Sequence, residues 1–367
     1  MKYRNIYVAA SSQHVGKTTS TLGLVSAFIK KGLTLGYCKP VGQKFLDLNN
    51  LRVDKDTLLF ADLIHFDIKP ELHSPVILGK GATAHFLDNP GKFKLKKKII
   101  KAAEKLERKN DIVIYEGTGH PGVGSVADLS NAEVAKTLNA GVIMIVPGGI
   151  GNTIDTLNMS LALFREKNVP IIGVIVNKVL DSKREKVSKY VGIKLKQWDL
   201  PLLGLLPYDK SLAFPVMGTV ASAIDGEVAY NEDQLDNRVE DIIAGSLIEL
   251  KELKSFQGLL LVVSTKSVSN AIKKIASLTR LMNKTNSPLA GVVATGEGII
   301  DANCETYLNK HKIPLIRTQL DTYGSVLKIS RIEVKINRST PWKVKRAIEL
   351  IEENVNLDLI LEQCEIL

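Results

Sequence analysis

The sequence predicts an α/β protein whose main domain is a parallel sheet covered by helices on both faces. Short runs rich in Val and Ile, each long enough for one strand, alternate with longer amphipathic runs of helical period. Near-continuous apolar strands are typical of parallel sheets that are buried on both faces. Polar and glycine-rich segments follow several of these runs, which is expected where the carboxyl ends of parallel strands bind a ligand.

Six strands and five helices are predicted in residues 1–212, which we interpret as one three-layer domain. The strands are Asn5–Ala10, Leu35–Lys39, Ile112–Glu116, Val142–Val146, Ile171–Val176 and Leu202–Leu206. The helices are Thr18–Lys31, Lys92–Lys109, Asn131–Leu138, Thr153–Lys167 and Lys183–Lys196.

A change of character around residues 207–218 predicts a linker and then a smaller α/β domain, residues 216–330. Residues 331–367 are predicted to be a helical tail, opened by Thr340 as N-cap and Pro341 at the first helical position. The smaller domain's predicted strands and helices are Gly258–Val263, Ala290–Ala294 and Leu315–Arg317, and Ser267–Met282 and Asn303–Lys310.

Composition places the chain among ordinary globular proteins, with 45% hydrophobic and 24% charged residues. No apolar run approaches the ~18 residues of a membrane-spanning helix, and no signal peptide is evident. We therefore expect a cytoplasmic protein without a membrane partner. Cys38, Cys304 and Cys364 are far apart, so neither a disulfide framework nor a zinc site is expected.

The net charge of +10 is concentrated in residues 92–109. Ile99, Ala103 and Leu106 give this segment a helical period, so its cations are interpreted as a solvated helix face. The alternative is a nucleic-acid surface, but no DNA- or RNA-binding motif accompanies the cations, and nucleic acid is not an expected partner.

The loop after the first strand is a candidate phosphate site. Residues 11–19 end in Gly16-Lys17-Thr18-Thr19 and lead into a helix, which is the context of a P-loop, although Ser11 stands where the full pattern has Gly. Backbone N–H groups from Val15 to Thr19 would hold phosphate oxygens at the helix N-terminus.

The side chains of this loop have roles of their own. Lys17 would supply charge to the phosphates, Thr18 would offer its hydroxyl to Mg²⁺, and Gly16 would let the backbone approach the ligand. The segment therefore predicts a nucleoside triphosphate site, with ATP and Mg²⁺ as cofactors. The alternative is a chance Gly-Lys-Thr sequence in a turn.

Four further motifs follow the predicted strands in order. They are Lys39-Pro40-Val41-Gly42, Glu116-Gly117-Thr118-Gly119, Asn177-Lys178-Val179 and Pro207-Tyr208-Asp209. Together with the P-loop, this series over residues 1–215 resembles the dethiobiotin synthetase and cobyrinic acid a,c-diamide synthase group.

The resemblance implies roles for specific residues. Glu116 and a nearby aspartate, for which Asp56 is the candidate with Asp54 close behind, would hold Mg²⁺ with Thr18. The alternative for both aspartates is a solvated turn. Lys39 would meet an anionic substrate or the transferred phosphate, and the glycine-rich loop after Glu116 would carry substrate contacts.

Asn177 is expected near the nucleotide base. The comparable GTPase motif has Asp in its fourth place, where this chain has Leu180 followed by Asp181, so adenine is favoured over guanine.

The second domain resembles a DRTGG domain through Thr295-Gly296-Glu297-Gly298 and Asp321-Thr322-Tyr323, with Ser264-Thr265-Lys266 in place of the Asp-Arg pair. The two-domain order is similar to the N-terminal half of long-form phosphate acetyltransferase. The acetyltransferase domain of that family does not follow in this chain, so acetyl transfer by this chain alone is not expected.

Three functions are consistent with these motifs. The favoured one is an ATP- and Mg²⁺-binding regulatory or accessory protein with weak ATPase activity. The second is an ATP-dependent ligase that activates a carboxylate or carbamate, and the third is a non-catalytic dimerisation module, which the presence of Lys17, Thr18, Lys39 and Glu116 argues against. A small anionic ligand and a second copy of the chain are the other expected partners.

Overall fold

The computed structural model describes residues 2–43, 45–48, 51–79, 81–89, 92–245, 257–332, 334–338 and 340–366. Residues Met1–Asp209 and Ile336–Leu367 form one unit, and Lys210–Lys335 form another. The predicted fold class is confirmed, because the first unit contains a six-stranded parallel sheet and the second a five-stranded mixed sheet. No helix in the described ranges is long and apolar enough to cross a membrane.

The first unit alternates strands and helices as the sequence predicts. Its strands are β1 Asn5–Ala10, β2 Leu35–Cys38, β3 Val41–Gly42, β4 Phe45–Leu48, β5 Leu51–Asp54, β6 Val76–Ile77, β7 Ile112–Glu116, β8 Gly141–Pro147, β9 Ile171–Val179 and β10 Leu202–Pro207. Its helices up to residue 209 are α1 Lys17–Lys30, α2 Lys55–Ile64, α3 Pro70–His73, α4 Ala82–Asp88, α5 Leu95–Glu107, α6 Asn131–Thr137, α7 Gly151–Glu166 and α8 Arg184–Gln197.

The main sheet has the strand order β10-β9-β8-β1-β7-β2, and every pair in it is parallel. Successive residues of β1 point to opposite faces, so Tyr7 and Ala9 join the apolar cluster with α5–α8, while Ile6 and Val8 join the cluster with α1. All six carboxyl ends consequently lie at one edge of the sheet.

Two predicted strands differ from the structure in a way that affects the site. β2 ends at Cys38 rather than Lys39, so Lys39 begins the following loop. β9 continues to Val179, so Asn177 lies inside this strand and not after it. Residues 41–88, for which the sequence predicts no regular element, contain two small two-stranded sheets, β3-β6 and β4-β5, and the helices α2–α4.

The second unit is built on a sheet with the order β11-β15-β14-β13-β12, in which only the β11–β15 pair is antiparallel. Its elements are α9 Met217–Ala223, β11 Glu227–Tyr230, β12 Asp241–Ala244, β13 Leu259–Ser264, α10 Val268–Leu281, β14 Leu289–Thr295, α11 Ala302–Lys310, β15 Leu315–Thr318 and α12 Thr322–Ser330.

The predicted separate tail instead completes the first unit from Ile336 onward. It forms α13 Pro341–Asn354 and α14 Leu357–Leu361, which bury Ile351 and Ile360 in the apolar cluster of α1. α13 approaches α1 so closely that a Cβ atom at Gly23 would lie 2.2 Å from Ile351 Cγ1. This apolar face is the reason why the tail packs on the first unit.

Candidate functional site

The P-loop joins β1 to α1 and presents the first helical turn at the carboxyl edge of the main sheet. Gly16 is the N-cap of α1 with φ 105° and ψ 32°, a left-handed conformation that glycine adopts without strain. Val15 is buried, and its carbonyl accepts a hydrogen bond of 2.7 Å from Asn177 Nδ2. Asn177 therefore supports the loop from β9, and its contact with a nucleotide base stays a prediction.

Thr18 and Glu116 meet directly. Thr18 Oγ1 donates a hydrogen bond of 2.7 Å to Glu116 Oε1, and Tyr37 donates one of 3.3 Å to Glu116 Oε2. Glu116 is the last residue of β7, which pairs with β1, so the sheet register brings this carboxylate beside the P-loop. The hydroxyl and the carboxylate lie close enough to share one ligand.

Glu116 is 1% exposed, and this burial raises the pKa of its carboxyl group to about 7. Lys39 opposes the shift, and the negative charge of Asp56 adds to it. A carboxyl group in this position can exchange a proton near neutral pH. A bound cation would favour its ionised form.

Lys39 lies between two aspartates. Its Nζ is 3.1 Å from Asp54 Oδ1 and also donates a hydrogen bond to Asp56 Oδ2. Burial lowers the pKa of Lys39, but the carboxylates of Asp56, Glu116 and Asp54 outweigh burial and raise it. The lysine is therefore a fixed cation in this site.

Asp54 is buried and is not the residue of a solvated turn. It is the N-cap of α2, and its Oδ1 accepts a hydrogen bond of 3.0 Å from the backbone N–H of Asp56. No described residue donates a hydrogen bond to Asp54 Oδ2, which faces Gly42. Burial raises the pKa of the Asp54 carboxyl group, whereas the nearby positive charge of Lys39 lowers it. The junction between β5 and α2 thus adds two carboxylates to the P-loop edge.

The glycine-rich loop of residues 117–124 reaches the P-loop through Lys17, whose Nζ donates a hydrogen bond of 2.8 Å to Gly119 O. The buried Asn131 anchors this loop. Its Nδ2 donates to the carbonyls of Thr118 and His120 at 2.8 and 2.6 Å, and its Oδ1 accepts from Thr118 N at 3.0 Å and from Tyr7 at 2.7 Å.

Sequence reasoning missed Asn131. It begins α6, fifteen residues after Glu116 in a segment read only as helix, and no motif marks it. Its role is seen only in the folded structure, where the carbonyls of Thr118 and His120 lie within hydrogen-bond distance of its amide.

The oxygen atoms of Thr18, Glu116 and Asp56 are the ligand type that Mg²⁺ prefers. Within the described ranges, no three His, Cys, Asp or Glu side chains converge as a ready-made metal cluster. The donor set fits a Mg²⁺ that is bound by one or two carboxylates and completed by substrate phosphates, which is the usual arrangement at nucleotide sites.

Comparisons with known proteins agree with these motifs. A family model described as an AAA domain matches residues 4–216. The phosphate acetyltransferase of Nitratidesulfovibrio vulgaris strain Hildenborough is 22% identical over 375 residues, which cover 96% of this chain and 50% of that protein. The ATP-dependent dethiobiotin synthetase BioD of Thermodesulfovibrio yellowstonii is 25% identical over 228 residues, which cover 59% of this chain and 93% of that protein.

The chain thus spans about half the length of its phosphate acetyltransferase relatives. The predicted resemblance to phosphate acetyltransferases and dethiobiotin synthetases is confirmed, whereas the DRTGG character of the second unit stays a prediction. Among solved structures, the MinD cell division protein of Aquifex aeolicus aligns over 57% of this chain and 84% of its own with 16% identity and a TM-score of 0.38.

Proposed function

This chain belongs to the AAA domain family, and on that premise we propose that its P-loop binds ATP together with Mg²⁺. The contact of 2.7 Å between Thr18 Oγ1 and Glu116 Oε1 carries the proposal. It joins the hydroxyl of a P-loop to a buried carboxylate, and such a pair of oxygen atoms suits a hard cation that also binds phosphates.

Each residue of the site has a role in this function. The backbone N–H groups of residues 15–19 bind phosphate oxygens, and Lys17 leaves Gly119 O to neutralise the outer phosphates. Thr18, Glu116 and Asp56 would hold Mg²⁺, and the ion would supply positive charge and Lewis acidity at the phosphates. Asn177 holds the P-loop in position through its hydrogen bond to Val15 O.

We assign the protein a regulatory or accessory role with slow ATP hydrolysis. The relatives that cover nearly the whole chain are named phosphate acetyltransferases and are about twice as long, so the shared region is an attached part of those proteins. In this proposal the second unit binds a small anionic ligand, and the chain acts as a homodimer.

Lys39 favours a second candidate function, an ATP-dependent ligase. This lysine is 7% exposed, and Val41, two residues after it, accepts a hydrogen bond from Thr118 of the glycine-rich loop. A buried cation at that point suits the charge of a carboxylate or carbamate that attacks ATP. Formation of one product per ATP consumed from a candidate acid would favour the ligase, whereas hydrolysis independent of any acid would favour the regulatory role.

Ligand-dependent thermal unfolding tests the proposal. ATP with Mg²⁺ at 100 times its Kd should stabilise the first unit by about 2.7 kcal/mol. Lys17→Ala should abolish this stabilisation, and the control Lys186→Ala, an exposed residue of α8, should retain it. Equal stabilisation of wild type and Lys17→Ala would refute binding at the P-loop.

A further inference from the structure

The helices on one face of the main sheet account for the net charge of the whole chain. α5, α6, α7 and α8 bury apolar side chains in one cluster with the same sheet face. Residues 92–109 carry nine Lys or Arg and two Glu, and residues 181–199 carry six Lys or Arg and three acids. Residues 131–138 and 151–167 are balanced, so the layer, counted with the residues that flank its helices, carries +10, which equals the charge of the protein.

The topology places both basic helices in this layer, with the charge-balanced α6 and α7 between them. α5 and α8 are separated by 76 residues between Glu107 and Arg184, yet their buried faces pack on the same side of the sheet. The rest of the chain is neutral overall, because basic stretches such as residues 265–284, with five Lys or Arg and no acid, are balanced by acidic ones such as residues 225–241, with seven acids and one Arg. The surrounding field therefore attracts polyanions to this side of the first unit.

The cations of α5 form a regular ridge. Lys97, Lys101, Lys105 and Arg108 are exposed and follow one another at intervals of three or four residues, which places them on one helix face. At 1.5 Å per residue the ridge is roughly 16 Å long. A nucleic-acid strand presents about five phosphates over that distance.

We propose that this helix layer, centred on the ridge of α5, binds the phosphate backbone of double-helical nucleic acid. The chain has a net charge of +10 and an isoelectric point of about 9.2. Such a basic balance is typical of proteins that bind nucleic acid. Lysine-to-phosphate contacts dominate nucleic-acid affinity. Binding is independent of base sequence, because an exposed row of lysines contacts phosphates and not base edges.

Two other polyanionic partners fit less well. A membrane-surface helix must place its apolar side in the lipid, but Ile99, Ala103 and Leu106 of α5 are at most 6% exposed and belong to the core. An acidic protein surface is disfavoured because lysine is depleted from protein–protein interfaces.

Fluorescence anisotropy with a labelled DNA duplex and a labelled RNA duplex of about 20 base pairs tests the proposal. The variant is the triple substitution Lys97→Gln, Lys101→Gln and Lys105→Gln. The matched control is Lys274→Gln, Lys310→Gln and Lys312→Gln, which removes the same charge from exposed positions of the second unit. Thermal unfolding establishes that both variants are folded.

We expect wild type and control to bind both duplexes, with affinity that falls steeply as salt rises. The α5 variant should bind at least tenfold more weakly, and its log–log salt slope should be smaller by roughly two to three, since each lost phosphate contact removes about 0.9. Tighter binding to RNA than to DNA, or the reverse, would show which of the two nucleic acids the surface prefers. Lys17→Ala should bind the duplexes like wild type, which separates this result from the nucleotide site.

Three results would overturn the proposal. These are no binding of either duplex at about 50 mM salt, an equal loss in the α5 variant and the control, and tighter α5-dependent binding to vesicles that contain anionic lipid. The last result would assign the surface to a membrane.

Discussion

The two units use the same architecture to different ends at the carboxyl edges of their parallel strands. In the first unit this edge carries buried charges, Lys39 and Glu116, beside the P-loop. In the second unit three neighbouring strands end in hydroxyl residues, Ser264, Thr295 and Thr318, which stand opposite one another in register. The buried groups named at the first edge are charged, whereas the buried Thr295 and Thr318 at the second edge are neutral.

The hydroxyls of the second unit find neutral partners nearby. Thr295 Oγ1 lies 3.0 Å from Thr322 Oγ1, and Thr318 Oγ1 donates to Ile224 O at 3.1 Å. The buried charged groups of the first unit are paired mainly with one another. A buried charge is costly when its counter-charge is removed. Buried ionised groups at a strand edge therefore indicate a site that meets a charged ligand, whereas hydroxyls bonded to neutral groups stabilise the fold.

The largest expected effect follows from removing the cation of the first edge. Lys39→Ala leaves Asp54, Asp56 and Glu116 without their common counter-charge and should lower the free energy of unfolding of the first unit by about 3–5 kcal/mol. Urea unfolding measures this change. Lys266→Ala, which removes an exposed lysine after β13, should change stability by less than about 0.5 kcal/mol. Similar values for both variants would remove the distinction between the two edges.

The pH dependence of stability tests the burial of Glu116. Its pKa is raised from 4.5 to about 7, so the folded state holds the proton more tightly than the unfolded state. Glu116 should therefore lower stability by up to roughly 3 kcal/mol as pH rises from about 4.5 to 7. His73, whose burial lowers its pKa to about 4, should add stability over nearly the same interval, so the contribution of Glu116 is measured against a variant. The stability of Glu116→Gln relative to wild type should increase with pH over this interval, and Glu297→Gln, at an exposed position of the second edge, should follow the wild-type profile. A difference between wild type and Glu116→Gln that does not change with pH would contradict the assignment.

Asn131→Ala should have a smaller effect, because the loop of residues 117–124 keeps its other contacts. The loss of the buried amide leaves several backbone groups without partners and should cost about 1–3 kcal/mol of stability. Since this loop accepts a hydrogen bond from Lys17, affinity for ATP should also change by severalfold. Asn158→Ala, on the exposed face of α7, is the control for both readouts. Unchanged affinity would show that the loop does not influence the P-loop lysine.

Thr295→Val should have the smallest effect of the series. The substitution keeps the shape of the side chain and removes one hydrogen bond, so the second unit should lose about 1 kcal/mol of stability. ATP binding should be unaffected, and calorimetry on the folded variant measures this. A loss of ATP affinity would show that the second edge contributes to the nucleotide site.

Strong local patterns allowed much of the fold to be predicted. The Val- and Ile-rich strand β1 and the Gly16-Lys17-Thr18 loop appear as expected, because each is encoded in a few consecutive residues. The geometry of Lys39 with Asp54 and Asp56 could not be derived from sequence. It depends on the chain between β2 and α2 folding back on itself, which no short pattern specifies.

The tail and Asn177 illustrate the same limit. A helical period in residues 341–354 predicts α13, but the groove beside Gly23 that receives it exists only in the folded unit. The length of β9, which no short pattern specifies, brings Asn177 within hydrogen-bond distance of Val15 O, and its contact with a nucleotide base stays a prediction.

Titration calorimetry of ATP and GTP, each with Mg²⁺, into wild type and Lys17→Ala tests the central claim most directly. ATP should bind wild type with a Kd on the order of micromolar, GTP should bind more weakly, and the variant should not bind ATP. An absence of binding heat in folded wild-type protein at several temperatures, with either nucleotide, would contradict the claim that this P-loop is a nucleotide site.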